Sequence, residues 1–336
     1  MTTPEIAAQG RPSETLSPVG PRAAYVPLPS GKQPKGVLFA VTFGADAAFA
    51  APLAVRAGLE PLAGSGLAEV WYASGPVISG TTGAIRHAAD AHFLAGVIEV
   101  DERDHGGIDA ATAVAYRAIA DFQAGSPYLH LLRTWNYLDA INQGEGDAER
   151  YRAFCSGRVA GLAGHPVTQH PAATVIGRRD GQPILQVYWL AARLPGMALE
   201  NPRQLSAYHY PRQYGRTAPT FSRAMLVAPG TLMISGTASI VGHASQHPGS
   251  VAAQVDEILA NLDSLVSSAH GHSPALPGRF GRNTLIKAYV RHRADAALVE
   301  NKLRARIPAD VPFLVLLGDV CRADLLVELD CLHAAG

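Results

Sequence analysis

A loop-like segment at residues 208–216 concentrates side chains that recognise anions. It holds three tyrosines and two arginines in Tyr-His-Tyr-Pro-Arg-Gln-Tyr-Gly-Arg, and Arg223 follows closely. Arginine binds a carboxylate through two parallel donors, and tyrosine adds a hydroxyl donor with little rotamer freedom to lose. The segment is therefore either a binding site for a carboxylate substrate or a solvated loop whose tyrosines pack on a sheet. The candidates taken from it are Tyr208, Tyr214, Arg216 and Arg223.

A carboxyl group at Glu328 stands in the apolar run Leu-Leu-Val-Glu-Leu-Asp near the end of the chain. Among aliphatic neighbours its pKa would rise, and it could then act as a general acid near neutral pH. The alternative is a residue of an edge strand that faces water. Cys321, seven residues earlier, could be a nucleophile, but the sequence locates no partner for it, and a buried, unreactive thiol is the simpler interpretation.

A predicted helix over residues 147–162 carries a charge on its apolar face. Arg158 lies seven residues after Tyr151, so both side chains project from the same stripe. A charge on a packed face must be paired, because burying it alone costs free energy. Arg158 could reach either a structural acid or an anionic substrate.

The motifs of several enzyme classes are missing from the sequence. Neither a phosphate-binding glycine-rich loop nor a nucleophile elbow occurs, which argues against nucleotide-dependent enzymes and α/β-hydrolases. His243 and His247 have the spacing of helical metal ligands, but no carboxylate stands at the metalloprotease position, and their neighbours predict a surface loop. Three cysteines without a Cys-x-x-Cys pair predict neither a disulfide framework nor a zinc site, which favours the cytoplasm. We expect no metal and no cofactor.

The overall composition limits the partners of the chain. A length of 336 residues predicts about two domains, and 48% apolar with 17% charged residues is typical of a globular protein. The 28 basic and 28 acidic side chains cancel, which argues against binding to nucleic acid or to an anionic membrane surface. No apolar run has the length of a secretory or membrane-spanning segment. A few placed arginines must therefore hold any anionic substrate.

Two stretches of the chain repeat one order of predicted elements. The first contains a strand at 93–98, a helix at 109–124, a strand at 128–135 and a helix at 147–162. The second contains a strand at 232–236, a helix at 250–266, a strand at 285–290 and a helix at 294–306. This repetition predicts a duplicated α+β unit.

Further predictions concern the segments around the two units. Residues 173–177 and 183–190 should form a hairpin, and 311–317 and 325–330 should form two late strands. We divide the chain into a flexible arm over residues 1–20, a first unit over 21–163 and a second unit over 164–336.

Several segments resemble the chorismatases, which remove pyruvate from chorismate and are often mislabelled as pteridine-dependent dioxygenases. The matching segments are Leu-Leu-Arg-Thr-Trp-Asn-Tyr-Leu at 131–138, Arg-Tyr-Arg-Ala-Phe-Cys-Ser-Gly-Arg at 150–158, the segment 208–223, Ile-Ser-Gly-Thr-Ala-Ser-Ile-Val-Gly-His at 234–243 and Gly-Asp-Val-Cys-Arg-Ala-Asp-Leu-Leu-Val-Glu-Leu-Asp at 318–330. The likeness covers nearly everything except the N-terminal arm. It implies two tandem RidA/YjgF-like (chorismate mutase-like) domains, the first degenerate, with the active site in the second domain near the interface.

The resemblance also implies roles for individual residues. Glu328 matches the family's catalytic glutamate, the acid that acts on the enolpyruvyl ether as its C–O bond breaks. Chorismate is a dianion, and no metal or redox cofactor is implied. The candidates for holding its two carboxylates are Tyr151, Arg158, Tyr208, Tyr214, Arg216 and Arg223.

The chorismatases divide by product, and two residues indicate the branch. The branch that forms 3-hydroxybenzoate by an intramolecular route resembles this sequence in having a cysteine seven residues before the glutamate, here Cys321. It also has glycine at the place of Gly236, where the hydrolytic branch has a bulkier residue. Both features favour 3-hydroxybenzoate synthase. The alternatives are release of 4-hydroxybenzoate, hydrolysis to trans-3,4-dihydroxycyclohexa-1,5-diene carboxylate, a non-catalytic RidA-like binding protein and, last, a pterin oxygenase. A monomer or a small homo-oligomer is expected.

Overall fold

The computed structural model of the chain describes residues 19–28, 34–44, 48–165 and 167–335. The arm predicted over residues 1–20 lies outside these ranges except for its last two residues. Within the described ranges, no helix is both long enough and apolar enough to cross a membrane.

Strands dominate the described residues, and four α-helices accompany them. The strands are β1 (Arg22–Pro27), β2 (Val37–Thr42), β3 (Ala54–Arg56), β4 (Glu60–Ala63), β5 (Leu67–Tyr72), β6 (Ile78–Thr82), β7 (Ile85–Ala89), β8 (Phe93–Asp101), β9 (His130–Asp139), β10 (Ala172–Arg178), β11 (Ile184–Ala192), β12 (Met197–Leu199), β13 (Ala224–Val227), β14 (Thr231–Ala238), β15 (Ile240–Val241), β16 (Ala244–Ser245), β17 (Thr284–Val290), β18 (Phe313–Leu317) and β19 (Val327–Ala334). The α-helices are α1 (Ile108–Ala124), α2 (Arg150–Gly161), α3 (Val251–His272) and α4 (Ala296–Arg306).

Two sheets share one strand order, which agrees with the predicted duplication. The first sheet runs β6-β7-β8-β11-β9-β10, and the second runs β12-β13-β14-β19-β17-β18, with β4 added at its edge. In both sheets the last two strands of this series are parallel and the other neighbours are antiparallel. The predicted α+β class is confirmed.

The helices cover the outer faces of the sheets, so that the two sheets face each other across a shared core. One apolar cluster joins α1 and α2 to the first sheet, and another joins α3 and α4 to the second. A third cluster lies between the sheets and includes Trp71, Trp135, Tyr188 and Met233. Burial of this apolar surface, at about 25 cal/mol per Å², is the main force that holds the two units together.

Helix α3 illustrates how the local sequence sets an element. The hydroxyl of Ser250 accepts a hydrogen bond from the backbone N–H of Ala253 at 3.4 Å and caps the first turn. Apolar residues at helical spacing, among them Val255, Ile258 and Leu262, are fully buried against the second sheet.

The predicted hairpin between residues 173–177 and 183–190 is wrong. Strands β10 and β11 are not hydrogen-bonded to each other, because β9 lies between them and pairs with both. The short, turn-like connection Arg-Arg-Asp-Gly-Gln between the two strands suggested that they pair directly. Instead, β10 pairs in parallel with the edge of β9 that faces away from β11.

The predicted boundary between the units, after residue 163, falls inside the first sheet. Strands β10 and β11 follow that boundary in the chain but belong to the first sheet, where β11 is central. The first sheet ends only at Ala192, and β12 of the second sheet begins at Met197. A division within residues 193–196 therefore fits the hydrogen bonding of both sheets.

A small four-stranded sheet, in the order β1-β5-β2-β3, completes the first part of the chain. Its strands contribute Phe39, Val55 and Trp71 to the core between the two large sheets. Strand β4 leaves it to pair antiparallel with β18 of the second sheet. Through these contacts the beginning of the described chain is tied to both units.

Candidate active site

A cavity of about 680 Å³ lies where α2 and β10 of the first unit meet β14 and β19 of the second. The 210–223 segment and the turn at residues 321–324 close its remaining sides. Six predicted site residues line it, namely Tyr151, Tyr214, Arg223, Gly236, Cys321 and Glu328. A pocket with convergent polar groups between two units is the usual form of a small-molecule site.

The position of Glu328 follows from the alternation of strand β19. Val327 and Leu329 pack toward the helices of the second unit, so Glu328 between them points into the space between the sheets. The residue is only 4% exposed, and no hydrogen bond within the described residues holds its carboxyl. Its pKa is raised to about 8, first by burial and then by the charge of Asp330, against the lowering effect of Arg133 and Arg223. The carboxyl is therefore largely protonated at neutral pH.

Gly236 gives the Glu328 carboxyl its place. The register of β14 against β19 shifts between Ile234 and Thr237, which puts the backbone of Gly236 beside the glutamate. A Cβ at residue 236 would lie 2.0 Å from Oε1 of Glu328, closer than any real contact. The glutamate can occupy this position only because residue 236 has no side chain.

Tyr151 and Cys321 lie close to Glu328, and both are held in their neutral forms. Burial, and after it the Glu328 charge, raises the pKa of the Cys321 thiol to about 12. Burial also raises the pKa of Tyr151 well above its usual value, with contributions from Cys155, Cys321 and Glu328. At neutral pH Cys321 is a thiol rather than the thiolate that nucleophilic attack requires.

Arg322 is a cation that lines the cavity, and the sequence analysis did not select it. Its guanidinium lies 3.8 Å from the centre of the Tyr214 ring. Its Nη1 donates to the carbonyl of His243 at 2.9 Å and to the hydroxyl of Ser245 at 3.2 Å. No carboxylate of the described residues forms an ion pair with it, so its charge is available to an anionic ligand.

Arg223 is held by the segment that precedes it. Its Nη2 donates to the carbonyl of Leu205 and to the hydroxyl of Tyr210, both at 2.8 Å. Its guanidinium also lies 5.1 Å from the centre of the Phe221 ring. The residue is 3% exposed and has no ion-pair partner among the described residues. A second positive charge is therefore fixed at the cavity wall.

Three predicted site residues do not line the cavity. Arg158 is buried above the Tyr116 ring, 4.9 Å from its centre, and pairs with no acid of the described residues. It shares a helix face with Tyr151, but seven residues of rise place it roughly 10 Å further along α2. Tyr208 is 37% exposed and packs its ring against His170, while Arg216 is exposed, with its backbone N–H donating to Asp147.

Sequence reasoning missed several residues that line the cavity. They are Asn142, Arg152, Tyr210 and Arg322. Both amide atoms of Asn142 are buried without a hydrogen-bond partner, so they can serve a ligand. Tyr210 was part of the segment that the sequence singled out, and Arg322 follows Cys321 directly, so proximity to recognised motifs was the available signal. Nothing in the sequence around Asn142 indicates its position.

The two histidines at metal-ligand spacing have separate partners. Nδ1 of His243 lies 3.2 Å from the Tyr214 hydroxyl, and Nε2 of His247 lies 3.2 Å from a carboxylate oxygen of Glu257. His243 lies in the turn between β15 and β16 and His247 lies after β16, so their rings serve two different contacts. Among the described residues no group of three His, Cys, Asp or Glu side chains is arranged to hold a metal ion.

The chain is similar to known proteins over most of its length. A family model described as chorismatase, FkbO/Hyg5-like, N-terminal, matches residues 69–191. A chorismatase of Streptomyces rapamycinicus is 38% identical over 275 residues, 78% of this chain and 81% of the relative. A 3-hydroxybenzoate synthase of Streptomyces hygroscopicus is 34% identical over 278 residues, 78% of this chain and 80% of the relative. The crystal structure of a chorismatase matches 95% of this chain and 100% of its own with a TM-score of 0.84 and 32% identity.

Proposed function

Because this chain belongs to the chorismatase family, we propose that it converts chorismate into 3-hydroxybenzoate and pyruvate, with Glu328 as the general acid. The observation that carries the proposal is the protonated carboxyl of Glu328 in a cavity that the charged side chains of Arg223 and Arg322 also line. A small dianion fits this combination, since the arginines attract its carboxylates while the neutral acid does not repel them.

The chemistry asks for a proton donor and for positive charge. Glu328 donates its proton to the terminal methylene carbon of the enolpyruvyl group, and the electron pair of that double bond forms the new C–H bond. The positive charge that develops beside the ether oxygen weakens the bond between this oxygen and the ring. When that bond breaks, its electrons go to the oxygen and pyruvate leaves. A positioned acid contributes about 10²–10⁴-fold to such a step.

The product follows from whether water takes part. The atoms of 3-hydroxybenzoate and pyruvate together equal those of chorismate, so this route uses no water. The neighbouring ring hydroxyl supplies the oxygen: it bonds to the carbon that pyruvate leaves and returns its proton to Glu328, which forms an epoxide on the ring. The epoxide then opens at its bond to the former hydroxyl carbon, and a proton moves from the carbon that keeps the oxygen to that oxygen as the ring becomes aromatic. The hydrolytic route adds one water. Gly236 and Cys321 stand where the resemblance expects glycine and cysteine in the aromatising branch, and one relative is named 3-hydroxybenzoate synthase. These features support the first route.

The test is an incubation of the EDTA-treated protein with chorismate, with pyruvate measured enzymatically and the ring product identified by mass and ultraviolet spectrum. Pyruvate with 3-hydroxybenzoate is the expected result. Pyruvate with the dihydroxycyclohexadiene carboxylate would keep the enzyme class and overturn the branch, as would 4-hydroxybenzoate. No pyruvate would leave a binding protein of the same fold as the better interpretation. A cytoplasmic location and a monomer or small homo-oligomer remain predictions of the sequence.

The pH profile should report the titration of the acid. The active form of Glu328 is protonated, and its pKa is about 8. We therefore expect kcat/KM to be level near neutral pH and to fall by about tenfold per pH unit above this value. The measurement is the initial rate of pyruvate release at low chorismate concentration, taken at intervals of about one pH unit from about pH 6 to about pH 10. A profile that rises with pH would instead require Glu328 to act as a base.

Removal of the Arg322 charge should weaken substrate binding. Hydrogen bonds to charged groups contribute about 1.5–3 kcal/mol each, so Arg322→Met should raise KM by roughly 10- to 100-fold. The matched control is Arg216→Met, because this substitution removes the same charge from an arginine that is exposed outside the cavity. Steady-state kinetics with chorismate compare the two. An equal KM in Arg322→Met and the wild type would remove Arg322 from the substrate site.

A further inference from the structure

A buried polar network lies beneath the Glu328 carboxyl, with the Thr174 hydroxyl at its centre. The Thr174 oxygen accepts hydrogen bonds from the backbone N–H of Gly236 at 3.1 Å and from Nη2 of Arg133 at 2.5 Å. The hydroxyl donates to Oδ2 of Asp330 at 3.0 Å. A hydroxyl has one donor and two acceptor positions, and all three are used here.

The network contains two buried acids and two buried bases, so its formal charges cancel. Asp330 lies 3.2 Å from Arg133 and 3.6 Å from Lys287, and Lys287 lies 2.7 Å from Glu69. All four side chains are at most 5% exposed. Such buried pairs add little net stability, because removing the charges from water costs about as much as their attraction returns. Stability alone therefore does not account for this arrangement.

The network reaches the acid through the backbone of Gly236. This glycine lies against Oε1 of Glu328, so the position of its peptide fixes where the carboxyl can rest. Thr174 comes from β10 of the first unit, and Gly236 and Glu328 come from β14 and β19 of the second. The hydrogen bond from Gly236 to Thr174 thus crosses between the units directly below the acid.

We propose that Thr174 is a positioning residue, which holds the backbone of Gly236 and the charges of Arg133 and Asp330 so that Glu328 meets the substrate in a reactive orientation. This inference rests on the proposed function. It assigns to the first unit a part in the chemistry of the second. At the comparable close contact of the first sheet, Gly96 faces the ring of Trp189 instead of a carboxyl.

The variant Thr174→Val keeps the shape of the side chain and removes the hydroxyl. Since a misplacement of about 1 Å can cost about 10²-fold, we expect kcat for pyruvate release to fall by about 10- to 100-fold, with KM changed by less than about threefold. Thr174→Ser restores the hydroxyl and should return kcat to within about threefold of the wild type. The matched control is Thr112→Val, another buried threonine, whose hydroxyl donates only to a carbonyl within α1.

A second measurement is independent of turnover. Carbon-13 NMR of glutamate-labelled protein follows the titration of Glu328, which is assigned by its loss in Glu328→Gln. The groups that face this carboxyl are Asp330, Arg133, Arg223, Tyr151 and Cys321. In Thr174→Val the loosened backbone should admit water, and the midpoint should fall toward the ordinary value of a glutamate.

The outcomes separate the two proposals. A wild-type protein that leaves chorismate unchanged sinks the proposed function, and the NMR midpoint then decides the role of Thr174 by itself. An active wild type together with a Thr174→Val variant of normal kcat and an unmoved midpoint overturns the positioning role alone. The positioning role is also overturned when Thr112→Val lowers kcat as much as Thr174→Val does and the two variants show the same drop in melting temperature. General destabilisation would then explain the effect.

Discussion

Replacement of Glu328 by glutamine is expected to lower kcat for pyruvate release by about 10²–10⁴-fold while KM for chorismate stays within a few-fold of the wild type. Glutamine has the size and the hydrogen-bonding groups of the protonated acid but cannot give up a proton. Glu328 lines the cavity, and burial raises its pKa to about 8, so its carboxyl holds a proton that it can donate at neutral pH. Steady-state kinetics of the purified variant give the comparison.

The same substitution should stabilise the fold, which provides its control. The folded-state pKa of Glu328, about 8, lies above the ordinary value of 4.5, so the folded protein holds this proton more tightly than the unfolded chain. For such a group, the contribution to stability is largest below pH 4.5 and is lost as pH rises toward 8. Glu328→Gln lacks this loss, and its free energy of unfolding should exceed that of the wild type by about 2–4 kcal/mol at alkaline pH.

The control compares urea unfolding of the two proteins at about pH 5 and at about pH 9. Because the variant and the wild type are compared at the same pH, the contributions of other titrating groups cancel. A variant that is inactive and more stable at the higher pH is what an acid held in a buried site requires. A variant that keeps wild-type kcat would exclude Glu328 as the acid, whatever its stability. A variant that unfolds more easily at both pH values would mean that the glutamate has a structural partner.

The sequence pattern placed Glu328 on a strand, but it could not decide which face of the sheet the carboxyl occupies. The run around it predicted a strand, and the structure has β19 there. Whether the carboxyl faced water or the cavity depended on which face of β19 met the first unit. That face is set by packing of the two sheets, a contact between residues far apart in the chain. The resemblance to the chorismatases, and not the pattern, indicated the cavity.

The arginines show where local pattern stops being informative. Arg158 shares a stripe with Tyr151, yet only Tyr151 lines the cavity, because seven residues of helical rise carry Arg158 roughly 10 Å further along α2. Arg216 stands in the conspicuous segment and faces solvent, whereas Arg322 stands in an inconspicuous turn and faces the cavity. In irregular segments no period fixes which side chains point inward, so these assignments needed coordinates.

The strand order of the first sheet was predictable only in part. Helices α1 and α3 and their flanking strands followed from hydrophobic spacing, and both are present. The parallel pairing of β10 with β9 was not, because the nearest apolar run, β11, offered an antiparallel partner after a short turn. That pairing matters for the site, since it brings Thr174 under Gly236.

Substitution of Gly236 by alanine is expected to change which product leaves the enzyme. The new Cβ would lie 2.0 Å from Oε1 of Glu328, so the carboxyl must move, and forcing an extra methyl group into a packed site costs about 1–3 kcal/mol. If this cost falls on the arrangement that leads to 3-hydroxybenzoate, its rate of formation drops by about 10- to 100-fold. The moved carboxyl leaves room for water beside the substrate, and the resemblance associates a bulkier residue here with the hydrolytic branch. We therefore expect the dihydroxycyclohexadiene carboxylate to become the larger product fraction.

Quantification of both ring products by liquid chromatography tests this expectation, with Gly96→Ala as the matched control. In the first sheet a Cβ at residue 96 would lie 2.2 Å from the Trp189 ring, so the control imposes a similar clash away from the acid. It should lower the melting temperature and leave the ratio of the two products as in the wild type. A ratio that shifts equally in both variants would trace the effect to general loosening of the fold. An unchanged ratio in Gly236→Ala, together with an unchanged rate, would mean that Glu328 acts from a position that does not depend on the bare backbone beneath it, and the placement of the acid on Gly236 would then be wrong.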